Sequence, residues 1–415
     1  VFEDGTLATP TKYNYVFKGW FDKDGTTDAN NDWGNEVTDK NPAVAGNTYY
    51  AKWEKAQTTG DCGARASASE PFGDNATWTL SQNNTGYTLT IAGSGLMADF
   101  SCNITNSKAT QPWRESLSGV KNTDITKVVV IGVSNIGAFA FNGLSAVASY
   151  DIGSAVTAIG RWGIDTEGTA TFELNGNTNL TLVDGVLMTA DKTTLIAYPG
   201  GAAKVAEYAI PSTVTTVARG AFVGCDAQKL VIPANVTDFP AYSLDRATVE
   251  EIEFNAKMDT ILSSTVVNLS TLKSFVFGKD TTVTTIASQA FSDLSALKEI
   301  TFPDSLTSIG SQAFKIVASD GATPAMEKVT FGSGIKTIEG QAFLHQNRLT
   351  TVDLSKCDAP TFGYSAFRTL GLKDHDTEAS VAFYFKDDAA RKAWNTNSCD
   401  ANVILYAVLN GGSIP

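Results

Sequence analysis

The chain reads as a mainly β protein with short helical turns, built as a right-handed solenoid of units of about 23 residues. Three observations predict this. First, Ile286 stands five residues before Phe291 with Ala290 directly ahead of the ring, and the arrangement returns at Ile309 with Ala313-Phe314, Ile338 with Ala342-Phe343, and Phe362 with Ala366-Phe367. Second, Leu294, Leu297 and Ile300 follow Phe291 at intervals of three, after which Ile300 and Phe302 are spaced by two and Pro303 closes the run. A period near three and then of two describes a tight helical turn feeding a short strand. Third, one such unit cannot bury its own apolar face, whereas stacked units can.

The phase of the Phe position runs through Phe141, Ile164, Phe222, Leu244, Val266, Phe291, Phe314, Phe343 and Phe367. Phe141 to Ile164 and Phe291 to Phe314 are each 23 residues apart, and Phe222 to Leu244 is 22. Longer gaps carry insertions, such as Ser319–Pro324. The largest, Ile164 to Phe222, is expected to hold an extra hairpin turning at Asp184-Gly185. Ala before the Phe is a small residue where one coil backs onto the next. Gly160 and Gly310, directly after the Ile, are expected at positive φ. A β-sandwich with Phe-rich strands would not hold Ala-Phe in phase.

A length of 415 residues exceeds one compact core and suits a small domain plus a solenoid. A net charge of −13 argues against nucleic acid and anionic lipid as partners, since both require a basic footprint. No apolar run is long enough to span a membrane. Val1 opens the chain with no Met or leader, so a preceding segment is expected to have been removed.

Taken in order, residues 1–55 are expected to form a small β domain. Tyr13, Tyr15, Phe17, Trp20 and Phe21 supply an aromatic core with Tyr49, Tyr50 and Trp53. Residues 56–61 read as a linker. Residues 62–125 read as an N-terminal cap, with Trp78–Leu80 and Tyr87–Ile91 forming a hairpin across Asn83–Gly86. A cap is needed because an open coil end exposes apolar surface and an unpaired edge. The repeats and a C-terminal cap fill 126–406. Asp387–Trp394 has helical composition, Asn402–Tyr406 is strand-like, and 407–415 is expected to be a flexible tail.

Two resemblances add to this reading. Phe17-Lys-Gly-Trp20-Phe21 and Tyr50-Ala-Lys-Trp53 resemble the internalin B-repeat, a β-grasp-like module of bacterial surface proteins. The Ile-x-x-x-Ala-Phe units resemble the BspA-like leucine-rich-repeat family over roughly 62–406. The lead-in agrees in order through Cys62-Gly63, Trp78-Thr-Leu80, Leu89-Thr-Ile91, Met97 and Pro112-Trp113. So does the interruption through Asp184-Gly-Val-Leu187, Leu195-Ile-Ala-Tyr-Pro199 and Ile210-Pro211. Leu244 and Val266 depart from the family's Phe, and only Cys225 keeps its Cys. The likeness implies a leucine-rich-repeat-type solenoid behind a β-grasp-like domain. It also implies an extracellular or cell-surface place, since members are mostly secreted or surface-attached and several are adhesins.

Candidate chemistry is sparse. The two histidines, His345 and His375, lie on a repeat turn and in a charged loop. Gly278-Lys279 lacks the spacing of a phosphate loop, Gly93-Ser-Gly95 lacks the third glycine of a dinucleotide fingerprint, and no Gly-x-Ser-x-Gly elbow occurs. Glu250, Glu251 and Glu253 place carboxylates on one predicted strand, where a wet surface is the plainer reading than acid–base work. Asp22, Asp24, Asp28, Asn30 and Asp32 resemble a calcium loop. The Gly, however, falls fourth rather than sixth, which favours a plain turn. Cys62 with Cys102, and Cys357 with Cys399, are candidate disulfides, leaving Cys225 as a buried thiol.

Three functional readings follow. The leading one is a non-catalytic interaction protein, monomeric and without a cofactor, binding a protein or glycan. A carbohydrate-active enzyme on a β-solenoid is the alternative, for which Lys229, Glu251, Glu253 and Glu299 are too scattered. A spacer with no ligand of its own is the third. The surface expected to bind is the outward face of the strands. Its ladder begins with Ser149 and Asp151. It continues through Lys229 and Val231, Glu251 and Glu253, Ser274 and Val276, Glu299 and Thr301, Lys328 and Thr330, and Thr351 and Asp353. Its centre, Glu251 to Thr301, reads as acidic around an exposed Val276, which suits a basic protein partner.

Overall fold

The computed structural model describes residues 7–10, 12, 15–67, 70–101, 110–167, 170–200, 205–316, 324–358, 360–367, 379–392 and 403–409. Tyr13, Cys102, His375, Trp394, Cys399 and Asn402 lie outside them. The chain divides into two compact units, 1–163 and 164–415. Strands dominate both. The described helices are the single turns Glu115–Ser118, Asn122–Asp124 and Asp388–Lys392.

In the first unit, Tyr15–Phe21 pairs antiparallel with Tyr50–Lys55, with a bulge at Phe17/Gly19. Phe17 meets Trp20 and Trp53 edge-on at 5.6 and 5.5 Å, and Phe21 meets Trp33 at 5.8 Å. Phe17, Trp20, Phe21 and Trp53 are thus in ring contact but only half-buried, and Tyr15 and Tyr50 are exposed. The expected cap hairpin is the pair Gly73–Asn83 and Gly86–Gly95. Its alternation buries Ala76, Trp78 and Leu80 against Leu89 and Ile91. Gly86–Gly95 then pairs parallel with Ile125–Val133, and that strand with Ser149–Ile152.

In the second unit the long gap after Ile164 does hold a hairpin. Leu180–Val183 and Val186–Thr189 pair around Asp184 at φ 50° and Gly185 at φ 82°, the left-handed pair that a two-residue hairpin turn requires. Beyond it the coils are regular. Lys229–Ile232, Glu251–Phe254 and Ser274–Phe277 pair in parallel, register to register, and Glu299–Thr301, Lys328–Thr330, Thr351–Leu354 and Ala379–Phe385 do the same. On the opposite side of each coil the Ile positions form a second parallel ladder of two-residue strands: Ile261, Ile286, Ile309, Ile338 and Phe362. The last described strand, Val403–Leu409, pairs parallel with Ala379–Phe385. The expected helix before it is the turn Asp388–Lys392, capped where Asp387 Oδ1 accepts the Ala390 N–H at 2.8 Å.

Between the two ladders lies the phenylalanine column. Phe291 stacks on Phe314 at 4.9 Å, Phe314 on Phe343 at 5.0 Å and Phe343 on Phe367 at 5.0 Å, the last two pairs nearly parallel at 5° and 3°. All four are at most 1% exposed. The Phe N–H of each coil donates to the carbonyl of the Ala before the next Phe: Phe291 to Ala313, Phe314 to Ala342 and Phe343 to Ala366, at 2.8, 2.7 and 2.8 Å. Where Leu244 and Val266 replace Phe, the aromatic path shifts to neighbouring positions. It runs from Phe222 through Phe239, Phe254 and Phe275 before rejoining Phe291 at 4.9 Å.

The glycine expectation holds for the positions and fails for the reason. Gly160 and Gly310 are absent from the positive-φ residues. A Cβ at Gly310 would lie 2.5 Å from the Ser288 backbone nitrogen, and one at Gly160 would lie 2.5 Å from that of Ala138. These glycines allow backbones of successive coils to touch. The left-handed residues sit instead two before and two after the Phe position: Gln289 and Asp293 around Phe291, Tyr242 and Arg246 around Leu244, Ser264 and Asn268 around Val266, Gln341 and His345 around Phe343. Gln289, Gln312 and Gln341 share one such column. Each Gln Nε2 donates to the next Oε1, at 3.1 and 2.8 Å.

One charge cluster in the second unit gathers around a buried carboxylate. Arg246 reaches the fully buried Asp165 carboxylate at 3.2 Å, Glu167 at 2.6 Å and Asp245 at 3.5 Å. Burial opposes the guanidinium charge, and Asp165, Glu167 and Asp245 more than offset it, holding its pKa above the ordinary arginine value. The cluster ties the segment after Ile164 to a coil about 80 residues on.

Three outcomes test this packing by chemical denaturation. Phe314→Ala should cost about 3–5 kcal/mol, the range for a large core truncation, whereas Thr330→Ala, facing outward, should stay within about 0.5 kcal/mol. Gly310→Ala should cost about 1–3 kcal/mol although its φ is ordinary, because the added carbon meets backbone that cannot rotate away. Arg246→Ala should cost about 2–3 kcal/mol, under the range for a fully buried pair because its own side chain is 32% exposed. Adding Asp165→Asn should restore part of that loss, and a strictly additive double-mutant cycle would show the pair to be uncoupled.

Candidate functional site

The outward positions of the parallel strands form an extended surface whose side chains are set by register rather than by loops. Lys229, Glu251 and Ser274 face one another across neighbouring strands, as do Val231, Glu253 and Val276. Farther on, Glu299, Lys328 and Thr351 form one row and Thr301, Thr330 and Asp353 the next. The residues between them (Leu230, Ile252, Phe275, Ile300, Val329 and Val352) are buried, which fixes the outward direction of the rows. Ser149 and Asp151 occupy the same kind of position on a strand of the first unit.

Two features differ from the expected ladder. It is not one sheet. Pairing runs to Ser274–Phe277, stops, and resumes at Glu299–Thr301. In the coils before the gap, Asn255 N–H donates to the Ile232 carbonyl at 2.8 Å and Gly278 N–H to Phe254 at 2.9 Å. Pro303 occupies that place in the next coil and has no N–H to give. Pro233 does so in an earlier coil without opening the ladder beside it, so the missing donor permits the gap rather than forcing it. A cleft of about 300 Å³ opens there, lined by Ser274, Val276, Phe277, Glu299, Thr301 and Pro303.

The charge of the centre is also smaller than the residue types imply. Lys229 bridges Glu253 at 2.8 Å and Glu207 at 3.3 Å, and Asn255 Nδ2 donates to Glu253 at 3.0 Å. These contacts, Lys229 first, hold the Glu253 carboxyl below its ordinary value, and Glu253 in turn holds the Lys229 ammonium above its own. Glu250 is likewise bridged to Lys273 at 2.8 Å. Glu251 and Glu299 are exposed and form no ion pair among the described residues. The acidic character therefore rests on these two. Neither Glu207 nor the Pro303 gap was singled out from sequence. The period-two alternation of Glu207-Tyr-Ala209 is too short to mark a strand, and a proline closing a strand is common.

The other candidates do not assemble. Asp22 accepts both the backbone and the side-chain N–H of Asn35, at 2.8 and 2.9 Å. Asp28 Oδ1 accepts the Asn30 N–H at 2.7 Å, Asp24 caps Thr26, and Asp32 pairs with Lys23 at 2.7 Å. The carboxylates are turned to separate donors. Among the described residues no three acidic, His or Cys side chains converge as metal ligands. These carboxylates bond within their own turn. The candidate disulfides Cys62–Cys102 and Cys357–Cys399 each include a residue outside the described ones; Cys62 and Cys357 are buried free thiols. Cys225 is a buried free thiol, as expected. Burial pushes all three thiols up to about 12, where almost no thiolate exists near neutrality. No described helix is long and apolar enough to cross a membrane.

Comparison with known proteins places the repeats. The model of the BspA type leucine rich repeat region matches in six copies, over 201–318 and 280–387. A solved leucine-rich repeat protein from Eubacterium ventriosum is 20% identical, covering 74% of this chain and 95% of that one at a TM-score of 0.41. The pneumococcal vaccine antigen PcpA is 13% identical over 82% of this chain and 98% of that one, at 0.42. A leucine rich cell surface protein from Faecalibacterium prausnitzii is 15% identical over 69% and 96%, at 0.35. No curated protein matches the chain. Coil-by-coil register, the Ala-Phe column and six matched repeats agree that residues 201–387 are a BspA-type leucine-rich-repeat region.

Proposed function

We propose that this chain is a non-catalytic interaction protein of the cell surface or extracellular space that binds a basic protein through its outward strand rows. The observation that carries the reading is the register. Lys229, Glu251, Glu253, Val276, Glu299, Thr301, Lys328 and Asp353, scattered over more than 120 residues, come to lie in rows on two sets of paired strands, one from Lys229 to Val276 and one from Glu299 to Asp353. Exposed carboxylates at Glu251 and Glu299 beside an exposed Val276 favour a cationic surface with some apolar content. Burial of the thiols and dispersal of the carboxylates support a role without catalysis. The resemblance to a mostly secreted or surface-attached family supports the location.

The test is a panel of basic proteins, acidic proteins and glycans, screened at two ionic strengths and followed by kinetics on any hit. With a basic protein bound, Glu251→Lys together with Glu299→Lys should slow association by about tenfold and flatten its salt dependence. Glu253→Gln should do much less, because Lys229 already neutralises that carboxylate. If the panel returns only glycans, or association is unchanged in the double variant, the proposed partner class is wrong.

A further inference from the structure

We infer that the gap between Ser274–Phe277 and Glu299–Thr301 is the anchoring slot of the strand face, taking one apolar side chain from an extended basic peptide segment. The inference rests on the reading of that face as the binding surface and names where the partner is gripped.

The opening is confined to one side of the coil. On the opposite ladder Thr285 and Ile286 still pair with Ser308 and Ile309, and beneath it Phe291 still stacks on Phe314. Only the strand rows part, which leaves a one-sided slot with an intact floor. That floor is aromatic. Phe277 lies 5.0 Å from Phe275 and 6.1 Å from Phe302. The residues equivalent to Phe277 in the other coils, Ile232, Phe254, Phe302, Phe331 and Leu354, are 0–3% exposed. Phe277 alone of this column is only partly buried. Val276, on the rim, is 53% exposed, while the matching outward positions hold the less exposed Val231 and then Glu253, Thr301, Thr330 and Asp353. The molecule thus leaves apolar surface uncovered where its ladder opens.

The volume and the charge select the occupant. About 300 Å³ is at the low end for a ligand pocket and admits a single aliphatic or aromatic side chain. Glu299 lines the slot, and Glu251 lies one strand beyond its other wall, beside Ser274. A segment carrying Lys or Arg on both sides of the inserted residue matches that spacing. An acidic segment would meet two like charges, and a neutral one would forgo them.

The experiment uses the whole chain and labelled nonapeptides in fluorescence anisotropy. One alternates lysine and serine around a central phenylalanine, the second replaces the phenylalanine by serine, and the third replaces the lysines by glutamate. The phenylalanine peptide should bind about tenfold tighter than its serine counterpart, the effect of one buried apolar side chain, and the glutamate peptide should not bind. Val276→Asp, which charges the rim, and Thr301→Trp, which fills the slot, should both abolish the preference for phenylalanine. Both positions are exposed, and unchanged thermal midpoints would confirm that the fold survives. Glu251→Gln with Glu299→Gln should weaken both lysine peptides equally and keep the preference. Equal affinities for phenylalanine and serine peptides, with weakening by the glutamine variants, would overturn the slot and leave the face standing. Lysine peptides that bind no better than the glutamate peptide, or that ignore the glutamine variants, would overturn both.

Discussion

Everything in the repeat unit depends on one coincidence of length. Parallel strands sit about 4.8 Å apart, and flat rings pack comfortably at a similar distance. The rings of Phe291, Phe314, Phe343 and Phe367 repeat at 4.9–5.0 Å. One translation therefore satisfies the backbone ladder, the ring stack and the Phe-to-Ala hydrogen bonds together. Glycines at Gly160 and Gly310 keep the spacing, since any Cβ there would push the coils apart. The left-handed residues around each Phe turn the chain tightly enough to deliver the ring to the centre.

The same translation governs the surface. A residue two places along a strand returns to the same face, and a residue one coil on returns to the same row. Side chains 22 to 29 positions apart in sequence become direct neighbours: Lys229 beside Glu251, and Glu299 beside Lys328. Charge on such a surface is decided by diagonals as well as rows. Lys229 reaches Glu253 and Glu207 rather than Glu251 directly opposite. What remains unneutralised is a narrower pattern than the composition of the strands implies.

Irregularity in the repeats has two different consequences. In the core it is absorbed. Where Leu244 and Val266 interrupt the phenylalanine column, Phe239, Phe254 and Phe275 carry the aromatic contact around them, because close packing tolerates a change of shape if volume is conserved. At the strand rows it is not absorbed. Beside Pro303, which has no N–H to give, the ladder stands open, whereas beside Pro233 it stays closed.

The sequence by itself determined the coil length, the buried column, the hairpin at Asp184-Gly185, the cap hairpin and the outward identity of each strand residue. These follow from local periodicity and from turn residues with few conformational options, so they need no knowledge of neighbours. It also marked Gly160 and Gly310, but for the wrong reason. The constraint on them comes from the backbone of another coil, which no local rule contains. The pairing of Lys229, the gap at Pro303, the clamp of Arg246 on Asp165, the scattered donors of Asp22 and Asp28, and the free thiol of Cys62 were decided only by tertiary structure. Each depends on which atoms lie within a few ångströms across a coil boundary. Insertions of variable length between repeats hide that adjacency from linear spacing.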